Sequence, residues 1–255
     1  MSQDAYEGFA ERYDRFHGRF DEHDPEEATF FHQLFAGHEV QSVLDCACGT
    51  GRHLHMFHSL GYQVTGSDIS RAMLARVEVN LASRGLQVPL HRADYRELPQ
   101  HFHQPFDAVV CLSSSLLHMP TETEAVRALR SMGGVLCDGG LLVLTQGTSD
   151  RQWREKPRFL LAVDEPDLTR LFVIDYEGSG AGYHIVDLER SEPGAGRELK
   201  VWSVEYPRVY LRDDQERLLG EAGFKSVEFY GSYRFEAYDK EESRRLIAVA
   251  KKSPL

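Results

Sequence analysis

The chain has 255 residues and a formal net charge of −11 at pH 7, because 40 acidic side chains outnumber 29 lysines and arginines. A chain of this length can bury one large hydrophobic core, and we expect one domain with an insertion. The acidic balance argues against nucleic acid as a partner, because nucleic-acid binders present basic faces. The apolar runs are too short to span a membrane.

The first 38 residues are expected to form a helical cap. Between residues 5 and 19 apolar side chains recur at three- and four-residue spacing, which predicts an amphipathic helix. These side chains are Tyr6, Phe9, Ala10, Tyr13 and Phe16. Residues 1–24 are polar and acidic, unlike a signal or transit peptide, so we expect a cytoplasmic protein.

The most informative segment is Val43-Leu44-Asp45-Cys46-Ala47-Cys48-Gly49-Thr50-Gly51. A short apolar run ends in an aspartate, and a Gly-x-Gly turn then opens into a helix-compatible sequence. An α/β sheet forms a nucleotide site in this way at the end of its first strand. A dinucleotide site needs a third glycine where this chain has Leu54. Asp45 would repel a pyrophosphate but suits a cationic amino group, so a nicotinamide-dependent reductase is disfavoured.

Two acidic residues follow at the ends of the next predicted strands. Residues 62–68 predict a second strand ending at Asp68, and residues 91–94 predict a third ending at Asp94. Asp68 lies 17 residues beyond Gly51, about where a nucleotide-binding α/β unit carries an acid for two ribose hydroxyls. Ser70 is a good N-cap for the helix that should follow.

Two more buried strands are predicted at 106–112 and 136–145, with helices alternating between the strands. This alternation predicts an α/β fold with a doubly wound, mostly parallel seven-stranded sheet. The sheet should close with strands 227–230 and 246–250. The predicted helices of the core cover 52–60, 71–84, 122–135 and 213–222.

After Gly147 the alternation stops, and glycine-rich turns separate the extended segments 169–177, 183–191 and 199–211. They predict an antiparallel β lid inserted after strand five. The predicted domains are therefore a cap (1–38), a core (39–148 and 212–255) and a lid (149–211).

No metal site is expected. Cys46 and Cys48 lie in the glycine turn and lack the second pair of ligands that a zinc site needs. The twelve histidines form no His-x-x-x-His pattern with an interposed acid, so solvated or packed histidines are the better interpretation.

The glycine turn with Asp45 resembles motif I of the class I S-adenosylmethionine (SAM) methyltransferases, and the later strand ends follow in that family's order. The resemblance implies a Rossmann-like fold that binds SAM and releases S-adenosylhomocysteine. Asp45 would meet the amino group, Asp68 the ribose and Asp94 the adenine amino group. The expected cofactor site comprises Asp45, Ala47, Cys48, Gly49, Gly51, Asp68, Ile69, Met73, Ala93, Asp94, Tyr95, Cys111 and Leu112.

The segment from Tyr6 to Asp14 and the β-rich lid resemble those of glycine/sarcosine and amino-sugar N-methyltransferases. This implies a small-molecule acceptor, methylated on an amine nitrogen by direct in-line displacement. His118 is a candidate base or orienting group, or else a packed histidine. By resemblance Arg158 would hold an acceptor carboxylate, or else it is a solvated charge in a loop, and Tyr13 would close over the methionine part of SAM or pack in its helix. O-methylation, or SAM binding without transfer, remains an alternative; the oligomeric state is not decided.

Overall fold

The computed structural model describes residues 9–14, 20–190 and 196–253. Seven α-helices and eleven strands lie within these ranges, with single 3-10 turns at Leu98–Gln100 and Ser115–His118. The helices are α1 Ala10–Tyr13, α2 Pro25–Ala36, α3 Arg52–Ser59, α4 Arg71–Ala82, α5 Glu122–Gly134, α6 Asp150–Glu155 and α7 Arg212–Glu221. The strands are β1 Ser42–Asp45, β2 Gln63–Asp68, β3 Leu90–Arg92, β4 Phe106–Cys111, β5 Leu136–Gln146, β6 Phe159–Asp164, β7 Leu168–Glu177, β8 Gly180–Glu189, β9 Glu198–Tyr206, β10 Ser226–Tyr230 and β11 Leu246–Lys251.

The core sheet has the strand order β10-β11-β5-β4-β1-β2-β3. Neighbouring strands from β3 to β5 pair in parallel, and β11 pairs antiparallel with both β5 and β10. The predicted mostly parallel, seven-stranded sheet is therefore confirmed. The order of connection reverses between β1 and β4, and ligands bind at such a switch point in open α/β sheets.

Helices cover both faces of this sheet and give the fold two hydrophobic cores. One core contains Leu44, Val109 and Leu142 from alternate strand positions, and the other contains Val43, Val110 and Val143. Because strand side chains alternate between faces, strands buried on both sides are apolar throughout. No helix among the described residues is long and apolar enough to cross a membrane.

A second, antiparallel sheet with strand order β6-β7-β8-β9 follows strand five. The prediction of an antiparallel lid is confirmed, but it contains four strands where three segments were predicted. The additional strand is β6, whose flanks carry no glycine-rich turn. The last residue of the predicted segment 183–191 lies outside the described residues.

The N-terminal segment packs on both sheets. Helix α1 is only four residues long, and residues 5–8 and 15–19 of the predicted helix, including Tyr6 and Phe16, lie outside the described residues. Asp24 is the N-cap of helix α2: its side chain accepts a hydrogen bond from the Glu26 amide, and Pro25 occupies the first turn. Its buried phenylalanines join the core beside α3.

Candidate functional site

The glycine turn between β1 and α3 has the backbone that its sequence predicts. Gly49 and Gly51 have φ angles of 52° and 88°, in the left-handed region that favours glycine. A Cβ atom on Gly51 would also lie 2.1 Å from Cγ2 of Val77. The turn therefore needs both glycines, and it places the N-terminus of α3 at the carboxyl end of β1.

Asp68 joins the end of β2 to this turn. Its Oδ2 accepts a 2.9 Å hydrogen bond from the amide of Gly49, and its Oδ1 accepts one of 2.9 Å from the amide of Ser70. Ser70 in turn caps α4 by accepting a bond from the amide of Met73. The predicted ribose-binding carboxylate thus also fixes the backbone around it.

Asp45 is buried at the end of β1, and one of its carboxylate oxygens has no hydrogen-bond partner among the described residues. Its Oδ1 accepts a 3.3 Å bond from the amide of Ala47, whereas Oδ2 has no hydrogen-bond partner among the described residues. Burial raises the pKa of Asp45 to about 6, although the charge of nearby His53 acts in the opposite direction. Leaving a buried carboxylate oxygen without a partner is unfavourable. A cationic amino group, such as that of SAM, fits this position.

The remaining expected cofactor residues lie around the same edge. Ala93 donates its amide to the Asp68 carbonyl. Asp94 forms an ion pair with Arg96, and the hydrogen bonds from Arg96 outweigh burial and lower the pKa of Asp94. Arg96 contacts both carboxylate oxygens of Asp94. The contact of Asp94 with the adenine amino group therefore remains a prediction. Tyr95 donates to the Ser115 carbonyl. Ile69 is exposed, and the other members of the set are half-buried or buried: Ala47, Cys48, Met73, Cys111 and Leu112.

A cavity of about 580 Å³ lies beside the glycine turn, between the core sheet and the lid. Small-molecule sites commonly have volumes of roughly 300–1,000 Å³. The lid contributes Phe172, Tyr183 and Tyr206, which form an aromatic wall. The other walls come from the N-terminal segment, the start of α3, the ends of β4 and β5, and the loop between β10 and β11.

Tyr13 connects this cavity to the glycine turn. Its Cε1 lies 3.6 Å from the position of a Cβ on Gly49, and the residue also lines the cavity. Burial, together with the charges of Asp68 and Asp45, raises the pKa of Tyr13 to about 12. The phenol therefore stays protonated at neutral pH, and its ring lies between the predicted cofactor site and the cavity.

One wall of the cavity contains a buried charged cluster around Glu27 of α2. Glu27 accepts hydrogen bonds from Tyr233 (2.6 Å) and His53 (3.3 Å), and Arg52 lies 3.5 Å from it. Burial opposes the charge of Glu27, but these partners hold its pKa well below the ordinary range. Burial likewise opposes the charge of His53, but Glu27 raises the pKa of this imidazole overall.

Two further cations line the cavity, Arg244 and Arg245, and neither forms an ion pair with a carboxylate of the described residues. The guanidinium of Arg245 lies 4.2 Å from the ring centroid of Tyr233, and Arg244 precedes it in the loop. Among the described residues, no carboxylate lies within ion-pairing distance of either arginine, whereas Arg234 of the same loop pairs with Glu26. An anionic group is the ligand chemistry that these two arginines fit.

Hydroxyl groups line the edge of the cavity at the ends of β4 and β5. Ser113 and Ser114 have φ angles of 55° and 68°, a conformation that costs non-glycine residues about 1–3 kcal/mol. Thr145 holds the turn, because Oγ1 accepts from the Ser113 amide and the carbonyl accepts from the Ser114 amide. Strained turns of this kind are typical of functional sites.

The hydroxyl of Tyr183 is fixed at the same edge of the cavity. It accepts a 2.8 Å hydrogen bond from Gln152 and shares another of 2.8 Å with the hydroxyl of Thr148. Burial raises the pKa of Tyr183 despite these bonds. The cavity therefore contains neutral hydroxyl groups as well as the two arginines.

The structure places two of the three predicted catalytic residues outside the cavity lining. His118 packs its ring 5.2 Å from that of Tyr206, and burial lowers its pKa, which fits the packed alternative. Arg158 is 66 % exposed and pairs with Asp175 at 3.2 Å on the far side of the lid. Neither side chain lines the cavity, and their contact with the acceptor stays a prediction.

Several cavity residues were missed from the sequence. Ser113 to Ser115 follow β4 directly, so their position at a strand end was a usable signal. No local pattern indicates Arg244 and Arg245, because only the fold of the loop after β10 brings them to the cavity. No group of three or more histidine, cysteine, aspartate or glutamate side chains among the described residues could hold a metal ion.

Comparisons with known proteins agree with this geometry. A family described as a methyltransferase domain matches residues 43–140. Glycine/sarcosine N-methyltransferase from Aphanothece halophytica is 29% identical over 259 residues, covering 96% of this chain and 89% of that protein. A dTDP-4-amino-2,3,4,6-tetradeoxy-D-glucose N,N-dimethyltransferase from Saccharopolyspora spinosa is 36% identical over 107 residues, covering 42% of this chain and 40% of that protein.

A SAM-dependent methyltransferase from Clostridium acetobutylicum has the same fold. It superposes with a TM-score of 0.80 at 19% identity, covering 98% of this chain and 99% of that one. The sheet order, the glycine turn with its orphaned Asp45 oxygen and the family match over residues 43–140 together support a class I SAM-dependent methyltransferase.

Proposed function

We propose that this enzyme methylates the nitrogen of a small amine that also carries an anionic group. The observation that carries the proposal is the cavity beside the glycine turn, lined by Arg244 and Arg245, which lack carboxylate partners among the described residues. A cavity of about 580 Å³ suits a metabolite rather than a macromolecule. The small-molecule acceptor is therefore the partner that we expect. We also propose a cytoplasmic location.

The relatives support this acceptor class. They are N-methyltransferases of glycine and sarcosine, or of a dTDP-linked amino sugar. Each of these acceptors combines an amine with an anionic group, a carboxylate in one case and a diphosphate in the other. The two arginines suit both anions, because a guanidinium binds carboxylate and phosphate oxygens in pairs.

The residues around the glycine turn fit SAM. Asp45 would hold its amino group, Asp68 its ribose hydroxyls, and the backbone of Gly49 and Gly51 would lie against its methionine part. Bound SAM would supply a methyl group on a sulfonium; the amine nitrogen would bond to that methyl carbon as the C–S bond breaks, and the neutral thioether would leave as S-adenosylhomocysteine. The protein itself therefore needs no nucleophile; it positions the partners, which can lower a barrier by about 7–11 kcal/mol.

On the acceptor side, we assign the anionic group to Arg244 and Arg245 and the amine to the hydroxyl-lined edge near Tyr183. Because burial raises the pKa of Tyr13 and of Tyr183, neither phenol serves as a base at neutral pH. The amine then loses its proton to solvent before transfer, and the hydroxyl oxygens accept hydrogen bonds from the neutral nitrogen. The aromatic wall favours the cationic product.

Substitution of the two arginines tests the proposal. The double variant Arg244→Gln/Arg245→Gln should raise the KM for the acceptor by about tenfold or more, because charge-assisted hydrogen bonds contribute roughly 1.5–3 kcal/mol each. The Kd of SAM should not change. Arg234→Gln is the matched control, because this arginine of the same loop pairs with Glu26. An unchanged KM in the double variant, or methylation of hydroxyl acceptors only, would overturn the proposal.

A further inference from the structure

The chain passes between the core sheet and the lid at two places that lie side by side. It leaves the core after Gln146, the last residue of β5, and it returns from β9 to α7 through residues 207–211. Nε2 of Gln146 donates a 3.0 Å hydrogen bond to the carbonyl of Tyr210, so the outgoing and returning segments are joined directly. We call these two segments, residues 146–150 and 207–211, the lid junction.

Gln215 of α7 completes the lid junction, although it lies outside the cavity lining. Its side chain is 1% exposed, and its Nε2 donates to Oε1 of Gln146 at 2.8 Å and to the Tyr210 carbonyl at 3.3 Å. Gln146 in turn donates from its own Nε2 to the carbonyls of Thr148 (2.7 Å) and Tyr210. These two acceptors fix the orientation of the Gln146 amide, and Gln215 supplies the donor that the amide oxygen needs.

The hydrogen bonds continue from the lid junction to the edge of the cavity. Gln146 holds the carbonyl of Thr148, and Oγ1 of Thr148 shares a 2.8 Å bond with the hydroxyl of Tyr183. On the core side, the amide of Gly147 donates to Oγ of Ser114 at 3.2 Å. Tyr183 and Ser114 both line the cavity. A change in the lid junction therefore reaches the hydroxyl-lined edge from both sides.

The chemistry of Gln215 argues against a role in packing alone. Its Oε1 is buried and has no hydrogen-bond partner among the described residues. A buried polar atom without a partner is unfavourable, and an apolar side chain of similar volume would fill the same space without that penalty. Methionine or leucine would therefore suit a purely structural position better. What glutamine adds here is the pair of N–H groups that face Gln146 and Tyr210.

We propose that Gln215 is a positioning residue for methyl transfer, which holds the Tyr183 hydroxyl at the place where the amine binds. It acts through Gln146 and the lid junction, without touching the acceptor. The inference rests on the proposed function, because that function assigns the amine to the edge near Tyr183. In-line transfer requires the nitrogen to be aligned with the methyl group, and a displacement of about 1 Å can lower a rate on the order of 100-fold.

Steady-state kinetics with glycine or a nucleotide-linked amino sugar as acceptor tests the proposal. Gln215→Met, which keeps the size of the side chain but removes its N–H groups, should lower kcat about tenfold. The KM should stay within about twofold, because the two arginines of the last loop still hold the anionic group. Gln215→Asn keeps an amide that is too short to reach Gln146, and it should show the same loss. Leu218→Met is the matched control, because Leu218 is buried on the same helix.

A double-mutant cycle with Tyr183→Phe distinguishes positioning from a general loss of structure. If Gln215 acts on the Tyr183 hydroxyl, Gln215→Met should lower kcat less than about twofold once that hydroxyl is gone, whereas independent losses would multiply to about 100-fold. Hydrogen exchange adds a measurement that needs no acceptor. Amides of residues 147–152 should exchange several-fold faster in Gln215→Met but not in Leu218→Met. Calorimetry should give an unchanged Kd of SAM in both variants.

Four results would overturn the inference. They are an unchanged kcat in both Gln215 variants, a raised KM with an unchanged kcat, independent losses in the cycle, and unchanged hydrogen exchange in residues 147–152. The failure of the proposed function has a different signature, which is an unchanged acceptor KM in Arg244→Gln/Arg245→Gln. The two sets of variants therefore test the two claims separately.

Discussion

Arg12 of α1 forms an ion pair with Glu189 of the lid, and the next residue, Tyr13, lies against Gly49 of the glycine turn. The Arg12 guanidinium also lies 4.3 Å from the ring centroid of Trp202 in the lid. Two consecutive residues therefore connect the lid to the predicted cofactor site. A substitution that breaks the contact of Arg12 with the lid should therefore change the affinity for SAM.

Arg12→Met should weaken SAM binding several-fold and destabilise the fold by about 1–3 kcal/mol. The substitution keeps an apolar stem beside Trp202 but removes the charge that pairs with Glu189. Calorimetric titration with SAM and thermal unfolding measure the two effects. Arg158→Met is the control, since this exposed arginine pairs with Asp175 within the lid. Equal SAM affinities in the two variants would contradict the link.

Asp45→Asn should raise the stability of the ligand-free enzyme above pH 6 but abolish SAM binding. Burial holds the pKa of Asp45 at about 6, above its ordinary value of 3.8. The carboxyl is thus neutral in the folded and unfolded states below pH 4, and its contribution to stability is lost as the pH rises through 6. Above pH 6 the variant, which avoids burying a charge, should be more stable by up to about 3 kcal/mol without ligand.

The same substitution should abolish measurable SAM binding, because an amide cannot neutralise a cationic amino group. In the unmodified enzyme, SAM affinity should fall as the pH decreases below about 6, where Asp45 becomes protonated. Thermal unfolding at pH 5 and pH 8, with and without SAM, measures both effects. Unchanged SAM affinity in Asp45→Asn would remove Asp45 from the cofactor site.

Asp68→Ala should abolish measurable SAM affinity and also cost some stability. The Asp68 carboxylate accepts hydrogen bonds from the amides of Gly49 and Ser70, and losing them should destabilise the fold by about 1–3 kcal/mol. Circular dichroism checks that the fold remains, and calorimetry measures binding. Glu78→Ala, at an exposed position on α4, should change neither quantity. SAM binding as in the unmodified enzyme would contradict the assignment of Asp68.

Tyr183→Phe should lower kcat/KM for the acceptor about tenfold while leaving the Kd of SAM unchanged. The substitution removes a hydroxyl that bonds Thr148 and Gln152 at the cavity wall, which corresponds to roughly 1–2 kcal/mol. Tyr176→Phe is the matched control, because that hydroxyl donates to the Pro157 carbonyl and its side chain does not line the cavity. Steady-state kinetics distinguishes the two variants, and equal kcat/KM values would place the acceptor elsewhere.

The core fold was predictable because its signals are local. Asp45, Gly49 and Gly51 adjoin one another in the sequence, and a strand followed by a glycine turn has few structural solutions. The strand β6 was missed because its apolar residues Phe159 and Leu161 are exposed and belong to no core, and because no glycine-rich turn flanks the strand.

The acceptor side was less predictable because it is assembled from distant segments. Arg158 follows strand five as expected, but the lid turns it outward to Asp175, and Arg244 and Arg245 reach the cavity from the last loop. Asp94 was expected to meet a ligand, and the ion pair with Arg96, two residues later, was not foreseen. Tertiary packing decides where Arg158, Arg244 and Arg245 lie, and no sequence spacing shows it, whereas the pair of Asp94 and Arg96 is local.

The most direct test of the central claim is a methyl-transfer assay with paired acceptors, in which the products are identified by mass spectrometry and NMR. The pairs are glycine with glycinamide, and a nucleotide-linked amino sugar with the free amino sugar. The account predicts SAM-dependent N-methylation of an anionic member of one pair, much slower reaction of its uncharged counterpart, and none with Asp45→Asn. Equal rates within each pair, or transfer to oxygen alone, would contradict it.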